Sequence, residues 1–328
     1  MKARSSTLLT LVAALQGCSD GAVSSKRLTF VERPTTQTEP VVLIAEVTDD
    51  GFGSSVAASA DAVWIGAPHG ETGIVYRWDE KGLERATSGP GRLGAHIVHT
   101  GERLLVSAPM DNRVVDQSGR EVRSGLPSMG IALSVQGDIA WAEGWIGQDG
   151  SEETTAGRPT SLFVSAGQTA VGFSHGEVAM RAGDRDFQRP QPQDEAGFSL
   201  SSSVIDEQEA WLLGAPGAGR VYAISKADFS VLRTWSGEGR FGHAILTNDV
   251  NGDGHDDLVV SSPFHHSGPQ ITWFDRLEEE GREVVLGGTG GLEAGLSLAA
   301  NDERLIIGAP GQPDVLGKVF VLPLPLQQ

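Results

Sequence analysis

Asp249, Asn251, Asp253 and Asp257 are the residues of this chain whose types and spacing point most directly to chemistry. Counted from Asp249, they hold positions 1, 3, 5 and 9 of a loop within the stretch FGHAILTNDVNGDGHDDLVVSSPFHHSGPQITWF, residues 241–274. A hard cation such as Ca2+ needs an oxygen-rich turn of this kind. Side-chain oxygens at alternate positions point inward, position 7 offers a backbone carbonyl, and a glycine at position 6 permits the sharp bend. Here Gly254 holds position 6. His255 supplies the carbonyl, so its imidazole is not implied as a ligand. An EF-hand also needs a bidentate Glu at position 12, and that position is Val260. The loop runs straight into Leu258-Val259-Val260, a strand-like run and not a helix. It reads as a calcium loop closing a β-hairpin. The competing reading is an Asn/Asp/Gly-rich hairpin turn with no metal.

Two other groups invite chemistry. Gly172-Phe173-Ser174-His175-Gly176 matches G-x-S-x-G, a nucleophile elbow that needs a strand before it and a long helix after it. Thr169-Ala170-Val171 would be the strand, but Glu177-Val178-Ala179-Met180-Arg181 is too short a helix before Gly183. The α/β alternation of a hydrolase is absent throughout. No catalytic residue is assigned, and the chain is not expected to be an enzyme. His265-His266 could be imagined as zinc ligands, but neighbours on a strand point opposite ways. They read as exposed loop histidines.

The elements that position the acidic loop repeat along the chain. Gly53, Gly94, Gly130, Gly197, Gly242 and Gly295 share one local pattern. Two residues on stands a small residue or histidine: Ser55, His96, Ala132, Ser199, Ala244 or Ser297. Three on stands an aliphatic: Val56, Ile97, Leu133, Leu200, Ile245 or Leu298. An apolar strand then ends in Gly66-Ala67-Pro68, Ser107-Ala108-Pro109, Gly214-Ala215-Pro216, Ser261-Ser262-Pro263 or Gly308-Ala309-Pro310. This pattern resembles the FG-GAP repeat of the integrin α-subunit β-propeller and its bacterial relatives, over most of the chain after about residue 50. In that family the calcium loop lies between the FG and GAP elements, as it does here.

The spacing from anchor glycine to proline is 15 residues at Gly53, Gly94 and Gly295, and 21 at Gly242. The extra residues of the Gly242 repeat are the metal loop. The spacing at Gly197 is 19, and Asp206, Glu207 and Glu209 there lack the alternate-oxygen pattern. They read as a solvated acidic turn. Forty-three glycines and sixteen prolines punctuate short strands, and helical periodicity is hard to find. The fold class expected is all-β, a β-propeller of FG-GAP-like blades, because packing blades around an axis buries faces that no single blade can bury. A hidden repeat ends at Gly172-Phe173-Ser174, with its anchor near residues 157–159. Gly144 is expected to replace the GAP glycine in the short Gly130 repeat. Seven blades are expected, with six as the alternative. Val41-Val42-Leu43-Ile44 is expected to pair with the strand near 319–322 and close the ring. Trp64, Trp141, Trp211 and Trp273 are expected in the core.

The N-terminus carries a separate signal. Lys2 and Arg4 precede an apolar run over residues 8–15 that is too short to span a bilayer and has signal-peptide flanks. It ends in Leu15-Gln16-Gly17-Cys18, which resembles the bacterial lipobox with the lone cysteine at the lipidated position. The domains expected are a leader over 1–17, a flexible tether over 18–39 and the propeller over 40–328. Ser19 after Cys18 suggests outer-membrane sorting, facing the periplasm or the surface, with membrane contact through the lipid anchor alone. The formal charge is −18, which disfavours nucleic acid as a partner. The function expected is a monomeric calcium-binding scaffold for a protein or glycan, bound through rim loops. The longest candidate loops are Asp111–Gly125, Gly147–Gly157 and Arg185–Ala196. The alternative is a propeller-type enzyme or accessory module, hydrolase or lyase.

Overall fold

A computed structural model describes residues 40–326, apart from 46–49, 156, 285, 287–291 and 312–313. The expected leader, Cys18 and the tether lie outside the described residues. The described chain forms seven four-stranded antiparallel sheets and two 3-10 turns. Blades 1 to 6 take residues 55–89, 97–124, 132–154, 161–188, 199–236 and 245–284, each with its strands in chain order. Blade 7 takes Ser297–Ala300, Arg304–Ala309 and Lys318–Pro323, with Val41–Ile44 as its outer strand. The register Val41↔Val321, Val42↔Phe320, Leu43↔Val319 joins the two ends of the chain. The count is seven, and the ring closes through the expected strand.

The repeated residues turn out to be the joints between blades. All six anchor glycines have φ between +84° and +93°, a region L side chains rarely adopt. A Cβ on Gly197 would stand 2.0 Å from the Ala179 carbonyl of the preceding blade, and one on Gly242 2.5 Å from the Arg220 carbonyl. Each anchor N–H donates within its own blade to the carbonyl of the GAP position, as in Gly53 to Gly66 at 3.0 Å and Gly295 to Gly308 at 2.8 Å. The serine two residues on then donates to the anchor carbonyl of the next repeat: Ser55 to Gly94 at 2.8 Å, Ser199 to Gly242 at 2.9 Å, and Ser297 to Gly53 at 2.9 Å across the closure. Such bonds each contribute about 1 kcal/mol net.

This geometry explains a covariation inside the motif. The GAP glycine faces the serine: a Cβ at Gly66 would lie 2.3 Å from Ser55 Oγ, and at Gly214 2.1 Å from Ser199 Oγ. The serine hydroxyl fills the space that a Cβ at the GAP position would need. Where the first position is His96 or Ala244, the second is Ser107 or Ser261, whose Oγ accepts the N–H of His96 or Ala244 at 2.9 Å.

The hidden repeat lies where expected. Ser161 pairs with Gly172, which makes Pro159 the anchor. Proline has no N–H, so Thr160 N–H reaches the Gly172 carbonyl instead, at 2.8 Å. In blade 3 the expectation for Gly144 fails. Ala132 pairs with Ala140, and Gly130 N–H donates to the Ala140 carbonyl at 2.8 Å. Ala140 holds the GAP position, because a tight turn through Ser134 and Asp138 shortens this hairpin. Gly144 opens the third strand, Gly144–Ile146.

The core is divided into seven apolar layers, each between two neighbouring blades. This is how sheets with two apolar faces are buried. Trp64, Trp141, Trp211 and Trp273 lie in these layers, 0–9% exposed. The residue before each anchor glycine (Phe52, Leu93, Met129, Ala196, Phe241, Ala294) is at most 3% exposed. The aliphatic three residues after each anchor lines the central cavity, of about 1040 Å³.

Candidate functional site

The acidic loop joins the first two strands of blade 6, Ile245–Asn248 and Asp257–Ser262. Its side chains fold it from within. Asp249 accepts the N–H groups of Gly252, Asp253 and Gly254 at 2.7, 3.1 and 2.8 Å. Asn251 Oδ1 accepts Asp253 N–H, and Asp253 Oδ1 accepts His255 N–H, both at 2.9 Å. Gly252 and Gly254 have φ of +78° and +85°. A Cβ at Gly254 would meet nothing within 4 Å, so glycine is needed there for its backbone conformation and not for space.

Asp257 is fully buried. Its Oδ2 accepts Val250 N–H at 3.0 Å and Asn251 N–H at 3.3 Å, and its Oδ1 accepts Arg276 N–H at 2.9 Å. Burial pushes its carboxyl above the usual range. The N–H bonds partly offset this, and the nearby Asp275 charge adds to it. Asp253 is held below the usual range, chiefly by Arg276, whose Nε donates to Asp253 Oδ2 at 2.8 Å. Arg276 belongs to the 3-10 turn Asp275–Leu277, on the far side of the third strand. That turn also accepts Asn251 Nδ2 at Asp275 Oδ1, at 3.1 Å. Leu277 is 2% exposed and packs in the layer between blades 5 and 6.

The donor set is all oxygen, as a hard cation requires, and one positive group already stands against it. The Arg276 guanidinium occupies the Asp253 carboxylate as a stand-in cation. Asp249, Asp253 and Asp257 do not bring three carboxylate oxygens within 4.8 Å of one another. Among the described residues, the acidic or imidazole ligand atoms that lie within 4.8 Å of one another belong to Glu238, His265 and His266. Asp256 turns away from the loop interior, with Ser203 Oγ 3.4 Å from its Oδ2.

The other candidates fall as follows. Ser174 is 5% exposed, and its Oγ lies 2.8 Å from His175 Nδ1. It sits in a strand-to-strand connection with no helix behind it. His265 and His266 lie in a turn outside any strand. Their rings are 4.3 Å apart, and His265 is only 13% exposed at its side chain. The reasoning that set them on opposite faces of a strand does not apply to a turn. The three long candidate rim loops contain blade strands: Arg113–Val115 and Glu121–Ser124, Glu152–Thr154, and Arg185–Gln188.

A feature with no local sequence signal lies in the last of these. Arg189 and Asp194 form an ion pair at 3.0 Å with side chains 2% and 0% exposed. Arg189 also donates to the carbonyls of Phe173, Gly176, Val178 and Ala196. Asp194 accepts the N–H groups of Gln191 and Ala196. The pair ties the end of blade 4 to the anchor of blade 5.

Comparison with known proteins places the loop inside a recognised repeat. The FG-GAP repeat family matches residues 241–270. A stretch of 141 residues, 35% of this chain, is 33% identical to integrin alpha-PS2 of Drosophila melanogaster and spans 9% of that protein. Similar solved structures include virginiamycin B lyase from Staphylococcus aureus, at TM-score 0.65 and 13% identity over 87% of this chain and 99% of that one. A streptogramin B lyase gives TM-score 0.62 at 12% identity, over 86% and 97%. The computationally designed Ika8 protein gives 0.54 at 13%, over 85% and 98%. At these identities the likeness is one of fold. The chain is a seven-bladed β-propeller that carries an FG-GAP repeat at residues 241–270, around the acidic loop, and resembles the integrin α-subunit over part of its length.

Proposed function

We propose that this propeller is a non-catalytic, calcium-stabilised binding scaffold, held at a bacterial cell envelope by lipid on Cys18. It would engage a protein or glycan through the rim of the ring. The observation that carries the reading is the all-oxygen loop closing the inner hairpin of blade 6, within the matched FG-GAP repeat. Asp249, Asn251, Asp253 and Asp257 would hold Ca2+ through side-chain oxygens, and His255 through its carbonyl. Bound Ca2+ would neutralise the loop and order it. The chain's own part is to pre-fold the turn through the Asp249 bonds and to release Asp253 from Arg276. A lyase reading would rest on fold likeness alone, and fold does not carry an activity.

Calorimetric titration of the full chain should give one Ca2+ site. Extracellular sites commonly bind at about 0.1–1 mM. Free calcium at tenfold the dissociation constant should add about 1.4 kcal/mol of stability, read as a modest rise in melting temperature. Asp253→Ala should abolish the rise and Asp256→Ala should keep it. Arg276→Ala removes the cation that competes for Asp253 and should tighten calcium binding by no more than about fivefold, since an exposed pair is weak. No heat in the wild type, or an unchanged melting shift in Asp253→Ala, would refute the site. Capture of partners by the propeller with and without calcium tests the scaffold reading.

The anchor has its own test. Metabolic labelling with palmitate should mark the wild type and leave Cys18→Ser unlabelled. Equal label in both proteins would remove the lipid anchor from this account.

A further inference from the structure

We propose that Glu238, His265 and His266 form a second metal site, for a divalent transition metal of zinc type, at the junction of blades 5 and 6. His266 Nδ1 lies 3.1 Å from Glu238 Oε2, and His265 Nε2 lies 3.8 Å from the same oxygen. All three ligand atoms lie within 4.8 Å of one another. A tetrahedral zinc with bonds of about 2.0–2.2 Å needs ligand atoms about 3.3–3.5 Å apart. The two separations from Glu238 straddle that value, and the third, between the imidazoles, is at most 4.8 Å, so closure on an ion would draw the two rings together.

The site is built from two loops that are already joined. Glu238 lies between the last strand of blade 5, Val231–Ser236, and the anchor Gly242. The histidines lie between the second and third strands of blade 6, Asp257–Ser262 and Gln270–Phe274. Phe264 N–H donates to the Gly239 carbonyl at 3.1 Å. A Cβ at Gly239 would fall 2.2 Å from the His265 backbone. Glycine there, at φ +65°, lets the backbone beside Glu238 lie directly on the histidine loop.

Two imidazoles and one carboxylate favour zinc, nickel or copper over the calcium that an all-oxygen loop selects. His265, 13% exposed, is the fixed ligand, whereas Glu238 and His266, at 74% and 72%, face solvent. Three protein ligands leave the fourth tetrahedral position open to water or to a donor from another molecule. In the metal-free protein His265 Nδ1 accepts Ser267 N–H at 3.3 Å. Coordination through Nε2 transfers the ring proton to Nδ1, and that long bond is given up.

The test uses the full chain without a histidine tag, saturated with calcium so that the acidic loop is occupied. Zinc titration by calorimetry should give one site per chain, and cobalt in its place should develop the visible absorption of a tetrahedral centre. His266→Ala and Glu238→Gln change exposed side chains and should leave the melting temperature of the metal-free protein unchanged. Each should weaken zinc binding by at least about tenfold, the lower range known for losing even a supporting group at a metal. Asp253→Ala should bind zinc as the wild type does. No zinc binding by the wild type, or equal binding by His266→Ala and Glu238→Gln, overturns the proposal. Zinc binding lost only in Asp253→Ala overturns it too, by placing the ion in the acidic loop.

Discussion

Arg189→Met should destabilise the propeller by about 3–5 kcal/mol, the cost of breaking a buried ion pair from one side. The pair is shielded from water almost completely, at 2% and 0% side-chain exposure, so solvent does not screen the loss. Methionine fills the space but leaves the Asp194 charge with only the Gln191 and Ala196 N–H groups. Four carbonyls, those of Phe173, Gly176, Val178 and Ala196, lose the guanidinium as donor. Arg189→Lys should recover little, since an ammonium cannot present the planar fork of donors that reaches several acceptors at once. The double variant Arg189→Met with Asp194→Leu should be more stable than Arg189→Met alone, because no charge is left unpaired. Urea unfolding of the four proteins checks this. A loss below about 1 kcal/mol in Arg189→Met would place the pair among weak surface contacts and contradict its burial.

Leu43→Ala should cost about 2–5 kcal/mol, the range for truncating a buried leucine. Leu43 is 3% exposed and sits opposite Val319 in the closing strand, beside Ala45, Phe52, Val56 and Val321. Its layer lies between blade 7 and blade 1, so the loss falls on the joint that makes the ring continuous. The propeller has no disulfide to hold that joint, since the single cysteine of the chain is Cys18. Removal of residues 1–45 should do more. It would leave Lys318–Pro323 as an exposed edge with unpaired backbone groups, a template for association between chains. The shortened chain should self-associate in sedimentation, and the full-length Leu43→Ala variant should sediment as the wild type does. Leu43→Ala unfolding within about 0.5 kcal/mol of the wild type would mean that closure contributes little.

Arg189 also marks the limit of what local patterns reveal. Residues 185–196 looked like a polar, charge-rich loop, a natural place for a ligand. They hold a blade strand and a buried clamp. A charged residue bears no local sign of burial when most of its partners are the carbonyls of another connection, residues 173–178. His265 and His266 lie in a loop as expected, but the strand argument applied to them does not hold, for a related reason. Alternation of faces is a property of strands, and His265 and His266 lie in a turn whose path is set by backbone contact with Gly239 from the preceding blade.

The sequence by itself determined the blade unit, the count of seven, the closing strand and the place of the acidic loop within its hairpin. These rest on conformations and spacings a few residues long: a glycine at positive φ, an alternating apolar strand, a six-residue insertion within one hairpin. Such features are written in neighbouring residues, so repetition along the chain makes them legible. Tertiary structure decided which groups meet across blades. It set Arg276 on Asp253, buried Arg189 with Asp194, brought Glu238 to the two histidines and gave the GAP position of blade 3 to Ala140. Each depends on the approach of segments separated along the chain, or on the length of one tight turn. Those distances follow from packing in the ring, and no local pattern encodes them.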